Sequence, residues 1–128
     1  MIRAAVCVAV LAAPATAETL VCRMTPDCDA AAPCAMSPAD ITFAIDRNQF
    51  APPVDAREPP RVKRTYVDMN GKAFVAEPFL MQGGAVRGFW TTADASGTRM
   101  LTTMADGSAR YSDSRSGDRM TGRCREVS

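Results

Sequence analysis

Turn-forming residues interrupt the second half of this chain at intervals of about eight to twelve residues, and apolar and polar side chains alternate between them. Alternation puts every second side chain on one face of an extended strand, while a helix repeats at about 3.6 residues. No stretch keeps the helical period for three turns. Asn70-Gly71 separates Arg61–Met69 from Lys72–Met81, and both turn residues tolerate positive φ, which predicts a type I′ hairpin. Gly83-Gly84 divides the second run from Ala85–Thr92, and a looser loop, Asp94 to Thr98, precedes Arg99–Ala105. Asp106-Gly107 turns the chain into Ser108–Ser114, and Ser116-Gly117 leads to Arg119–Val127. Upstream, Ile41, Phe43 and Ile45 alternate with small or polar neighbours, and Thr19–Met24 supplies a first strand. The pattern predicts an all-β fold: a small antiparallel meander of about eight strands, closed as a barrel or curled as a sheet.

Two segments resist this reading. Thr25 to Ala39 is rich in Pro, Ala and Cys and reads as an irregular loop. Arg47 to Pro60 carries Pro52-Pro53 and Pro59-Pro60, the composition of a stiff extended connection across a surface.

Counting outward from two-residue turns predicts which side chains share a face. Around Asp106-Gly107 it sets Met104 opposite Ala109, Thr102 opposite Tyr111 and Met100 opposite Asp113. Met100, Met104, Ala109 and Tyr111 then face the core, and Arg99, Arg110 and Ser112 face solvent. Around the other two turns it puts Val62, Tyr66, Val75, Phe79, Met81, Val86 and Trp90 on one apolar face. Arg64 and Glu77 fall there too, as a cross-strand ion pair beside the tryptophan. Either Pro78 marks a bulge that returns Glu77 to solvent, or the pair lines a polar corner where a ligand sits.

The N-terminus adds a compartment. Arg3 gives a positive start, Ala4 to Ala13 an apolar stretch and Ala15-Thr16-Ala17 an A-x-A cleavage site, so residues 1–17 read as a secretory signal peptide and 18–128 as one domain. The apolar run is about half of what spans a bilayer. Neither Val6-Cys7 nor Val21-Cys22 suits lipid attachment, the first coming too early and the second following Glu18-Thr19. Export to a bacterial periplasm, or secretion, is the expectation, with no membrane span in the mature chain. Removing the peptide takes one of five cysteines, Cys7, and leaves Cys22, Cys28, Cys34 and Cys124, an even set for an oxidising compartment. Three pairings are open. Cys22 and Cys124 lie in strands at opposite ends and Cys28 and Cys34 share a loop, so the expected bonds are Cys22–Cys124 and Cys28–Cys34. A zinc site is the rival, disfavoured by the missing C-x-x-C spacing and the absence of histidine.

Charge and chemistry narrow the function. Loss of Arg3 from 15 basic residues leaves 14 against 14 acidic ones, so no overall field draws in nucleic acid. Without histidine, Ser-His and Cys-His nucleophile pairs cannot form. Neither a P-loop nor a G-x-G-x-x-G motif is present. Carboxylate pairs such as Asp40 with Asp46 or Asp113 with Asp118 leave a hydrolase as the remotest reading. Arg119, Arg123 and Arg125 alternate and so share an outer face, a solvated edge or a cationic patch for an acidic partner. The methionines read as core filler.

Gly107-Ser108-Ala109-Arg110-Tyr111, with Gly122 and Cys124, resembles a motif of the periplasmic lysozyme-inhibitor family. Those proteins are small exported eight-stranded barrels, cysteine-bearing at both ends, that block lysozyme by inserting a loop. Here Gly107 stands where the family has serine, Ser108 where it has glycine, and no lysine follows Lys72. The resemblance implies a barrel architecture. The expectation is a non-catalytic exported envelope module that needs no cofactor and binds an envelope protein or polysaccharide. The alternative is inhibition of a cell-wall hydrolase such as lysozyme by the Asp106–Tyr111 hairpin. Arg64, Glu77, Trp90, Ser108, Arg110 and Tyr111 are the candidate contact residues.

Overall fold

A computed structural model describes residues 17–27, 37–55, 57–92 and 97–127. Eight antiparallel strands close into a barrel in which each pairs with the next and the last returns to the first. They are β1 (Ala17–Pro26), β2 (Ala39–Asp46), β3 (Thr65–Met69), β4 (Lys72–Met81), β5 (Val86–Thr92), β6 (Thr98–Thr103), β7 (Ser108–Asp113) and β8 (Asp118–Val127). The meander expected from the turn signals is the observed topology. Closure removes the open edges that an eight-stranded sheet would otherwise expose.

Leu20, Cys22, Met24, Ile41, Phe43, Ile45, Val67, Phe89, Leu101, Tyr111 and Met120 fill the interior, buried from alternate positions of seven strands. Phe43 meets Phe89 edge to face at 5.0 Å between ring centroids, a favoured aromatic geometry. An eight-stranded barrel is just wide enough for such side chains to fill. Cys22 lies directly opposite Cys124 in the β1–β8 ladder and is bonded to it, as expected. Cys28 and Cys34 lie outside the described residues, as does all of the leader reading except Ala17, which opens β1.

Asn70 and Gly71 have φ of 53° and 83°, the conformation that a type I′ turn demands. Arg61–Arg64 lie outside the strand, because β3 starts only at Thr65. The Arg47 to Pro60 connection begins with a 3-10 turn, Arg47–Phe50, capped by the Asp46 carboxylate on the Asn48 N–H. Phe50 packs against the core and ties this connection to the barrel.

Two face assignments are corrected. In β6–β7 the pairs are Thr103 with Ala109, Leu101 with Tyr111 and Arg99 with Asp113, one residue away from the expected register. The turn holds three residues between Met104 and Ser108 rather than two, with Gly107 at φ 89° closing it. That slip turns Met100 and Met104 outward, 41% and 44% exposed, and Leu101, Thr103 and Arg99 inward. In β3–β5 the registers are as expected, with Tyr66 opposite Val75 and Glu77 opposite Trp90, but the shared face is the outer wall except at Val86, which is buried as expected. Thr65, Val67, Ala76, Pro78, Val86 and Phe89 are the buried side chains of these strands. No bulge occurs at Pro78, which pairs with Phe89 in continuous register. It lies past the last β3–β4 pair, Thr65–Ala76, so its missing N–H removes no bond from that ladder.

Candidate functional site

Charged groups occupy both mouths of the barrel. At the mouth where β1 begins, Arg87 donates to Glu18 Oε2 at 2.8 Å and to Glu126, and Arg47 donates to Glu18. Burial disfavours the Glu18 carboxylate, but the hydrogen bonds from Arg47 and Arg87 outweigh it and hold its pKa below the usual value. The same two carboxylates raise the pKa of Arg87 against the opposing effect of its burial. At the other mouth Arg115 makes a two-pronged contact with Asp113, Nε to Oδ1 at 3.0 Å and Nη2 to Oδ2 at 2.8 Å. Arg99 stands 3.9 Å from Asp113 Oδ2 and lies over the Phe74 ring at 4.4 Å. The Arg115 hydrogen bonds draw the Asp113 pKa down despite its burial. The interior is filled, each end carries ion pairs, and further grooves lie on the outer wall.

On that wall Arg64, Glu77 and Trp90 line one shallow groove of about 240 Å³, together with Val62 and Val75. The expected Arg64–Glu77 ion pair is absent among the described residues; the Arg64 N–H instead donates to Gln49 Oε1 at 3.0 Å. Glu77 is exposed because the face around it is external, which replaces both the bulge and the polar-corner readings. Val62 and Tyr66, 69% and 70% exposed, extend this apolar surface. Phe79 lies against Gly88, where a Cβ would meet its ring at 2.5 Å and the Leu101 carbonyl at 1.9 Å. Glycine there lets an aromatic ring cover the strand from outside.

The row continues across the sheet. Trp90 pairs with Met100, Met100 with Ser112 and Ser112 with Arg119. A groove of about 500 Å³ lies here, lined by Met100, Arg110, Ser112, Arg119 and Thr121, with Asp27 at its end. A second groove of similar volume, lined by Thr102, Met104, Ser108, Arg110 and Thr121, borders it. Arg110 is shared by both. Ser108 is only half exposed and tied down: its N–H and hydroxyl donate to Asp106 Oδ1 at 2.9 and 2.6 Å, which lowers the Asp106 pKa. Tyr111 is a core residue, and burial first, then Asp113, raises its pKa.

The structure therefore brings Arg64, Glu77 and Trp90 together, places Ser108 and Arg110 on β7, two strands beyond Trp90, and buries Tyr111, which still lines the groove of Met100 and Arg119. Sequence reasoning missed Met100 and Thr102 as surface residues. The signal was the Met104–Ser108 turn: a glycine three places beyond Met104 suits a three-residue hairpin that closes on a left-handed residue. Among the described residues no group of three His, Cys, Asp or Glu side chains is placed to hold a metal ion, and no helix is long and apolar enough to cross a membrane. Compared with known proteins, the chain matches no family model, no curated protein and no solved structure.

Proposed function

We propose that this protein is a non-catalytic module of the cell envelope, exported by residues 1–17, that binds a macromolecular ligand on its outer wall across β5–β8. One observation carries the reading. The interior is packed and its mouths are tied by ion pairs, while exposed Met100, half-exposed Trp90 and the free cation Arg110 share a continuous grooved wall. Apolar platforms with a few polar groups around them are what binding faces present. Site-specific photocrosslinking in the envelope of expressing cells tests it. A crosslinker replacing Met100 or Ser112 is expected to give a discrete adduct, and one replacing Glu58 none. Equal labelling at all three positions, or none, sinks the reading. Mass spectrometry of the envelope form tests export, with Glu18 expected as the first residue.

A second reading, blocking of a cell-wall hydrolase, draws on the rim turn. The Asp106 carbonyl accepts from Arg123 at 2.6 Å and the Gly107 carbonyl from the Cys124 N–H at 2.8 Å, so this loop is pinned to β8 beside the disulfide. A rigid projecting loop is suited to insertion into a cleft. Lysozyme-driven lysis that is unchanged at large molar excess of this protein would remove it.

A further inference from the structure

We propose that the outer wall along β8 and β1 is a track for a linear acidic polysaccharide, whose successive carboxylates pair with arginines standing in file. The inference rests on the binding-module reading above and specifies its ligand.

Outward positions on one strand recur about every 6.8 Å. On β8 they are Arg119, Thr121, Arg123 and Arg125, all exposed. The ladders widen the file. Arg23 of β1 lies directly opposite Arg123, and Arg110 of β7 lies directly opposite Thr121. Five guanidinium groups therefore cover three adjacent strands, although the 14 basic and 14 acidic residues of 18–128 cancel in total. Like charges facing each other across a ladder repel, and an anion laid between them relieves the repulsion. Acidic relief within the wall comes from three carboxylates, Asp40, Asp27 and Asp106, the last close enough to Arg123 to be stabilised by it. Asp40 stands 3.4 Å from Arg23, with the two side chains 65% and 85% exposed. Asp27, at the far end, accepts from the Thr121 hydroxyl at 2.8 Å. Arg123 is steered by its bond to the Asp106 carbonyl, and the side chains of Arg110, Arg119 and Arg125 have no carboxylate partner among the described residues.

The shape favours a chain molecule. Grooves flank β8 on both sides, the one of about 500 Å³ toward β7 and one of about 690 Å³ toward β1 that holds Arg23, Arg123 and Arg125. Guanidinium forks match carboxylates with two parallel hydrogen bonds, which a compact ammonium does not. A flat bilayer touches a convex wall along a line and engages few of these groups together. A flexible polymer follows the file, and Met100 and Trp90, reached from Arg119 across Ser112, offer its sugar faces an apolar shelf beside it.

Calorimetry of the processed protein with polygalacturonate, at about 0.01 M and about 1 M salt, tests this, since screening length falls from about 30 to about 3 Å between them. Binding is expected at low salt, with at least tenfold loss at high salt, and none to uncharged dextran. R110Q, R119Q and R125Q should each weaken binding roughly two- to fivefold, the range of exposed charge pairs, with unchanged melting temperature. R57Q, which removes the same charge from the exposed 57–64 segment, should leave it unaltered. No polygalacturonate binding at low salt overturns the proposal. So does equal weakening by R57Q, or tighter binding to phosphatidylglycerol vesicles or to a DNA oligonucleotide. Photocrosslinks at Met100 without polygalacturonate binding would reject the ligand class and leave the binding wall standing, while loss of both would remove the wall as well.

Discussion

Cutting the bond between Cys22 and Cys124 should destabilise the barrel by about 4–5 kcal/mol, because the two cysteines are 102 residues apart and the unfolded chain then gains the full closure entropy of that loop. That is a large part of the roughly 5–15 kcal/mol that holds a domain of this size folded. Cys22 is fully buried, so the variant should be C22A/C124A; serine would add the penalty of a buried hydroxyl, about 1–3 kcal/mol, to the measurement. Removing both sulfurs also prevents exchange with Cys28 and Cys34. With a urea m-value of about 2 kcal/mol per molar, the unfolding midpoint should fall by about 2 M, and m should rise because the uncrosslinked denatured chain exposes more surface. Circular dichroism and Trp90 fluorescence, the chain's one tryptophan, report the transition. A loss under about 1 kcal/mol would refute the reasoning, since it would mean that β1 and β8 stay close in the unfolded chain and closure carries little entropy.

Other expectations follow from the register, the mouths and one glycine. Leu101→Ala should cost about 2–5 kcal/mol as a cavity in the core and Met100→Ala within about 0.5 kcal/mol, a contrast that thermal melts would reverse if the two-residue turn were right. Asp113 and Glu18 have folded pKa values below their ordinary ones, so their stabilisation is present above those ordinary values and disappears as pH falls through the folded ones. D113N should therefore be less stable than the wild type at pH 7, with the gap closing in acid; a gap constant with pH would contradict the assigned ion pair. Tyr111 has the opposite sense: its raised pKa adds stability that is intact below pH 10 and lost as pH climbs beyond it, and Y111F should abolish that alkaline step in melts. Gly88→Ala should destabilise by at least about 1–3 kcal/mol, because its Cβ would lie 1.9 Å from the Leu101 carbonyl, and an unaltered melting temperature would disprove that close approach.

Strand number, their order and the Cys22–Cys124 bond are legible in the sequence because turn residues punctuate it so regularly. Asn70-Gly71 alone determines the β3–β4 register. Orientation is harder. Along β3–β5 the inner positions (Val67, Phe74, Ala76, Phe89) and the outer ones (Tyr66, Val75, Phe79, Trp90) are both apolar, so alternation separates the two sets without saying which faces in. Closure decides it, and closure depends on strands far along the chain. In β6–β7 the error has one local source, the length of the Met104–Ser108 turn, and a single residue reverses every side chain beyond it. The arginine file on β8 was legible from its alternation, whereas its neighbours Arg23 and Arg110 are brought there by ladders that no local pattern reveals.

The β2–β3 contact is the shortest of the eight ladders, holding Ile41 with Met69 and Thr42 with Asp68, after which the Ala44 N–H turns to the Thr65 hydroxyl at 3.2 Å. A hoop welded on one side splits at its thinnest stave. With β1 and β8 covalently tied, amide hydrogens of Ala44 and its neighbours should trade with deuterium before those flanking Cys22, and a new pair of chain ends introduced within residues 57–64 would be borne more easily than ends at any other turn.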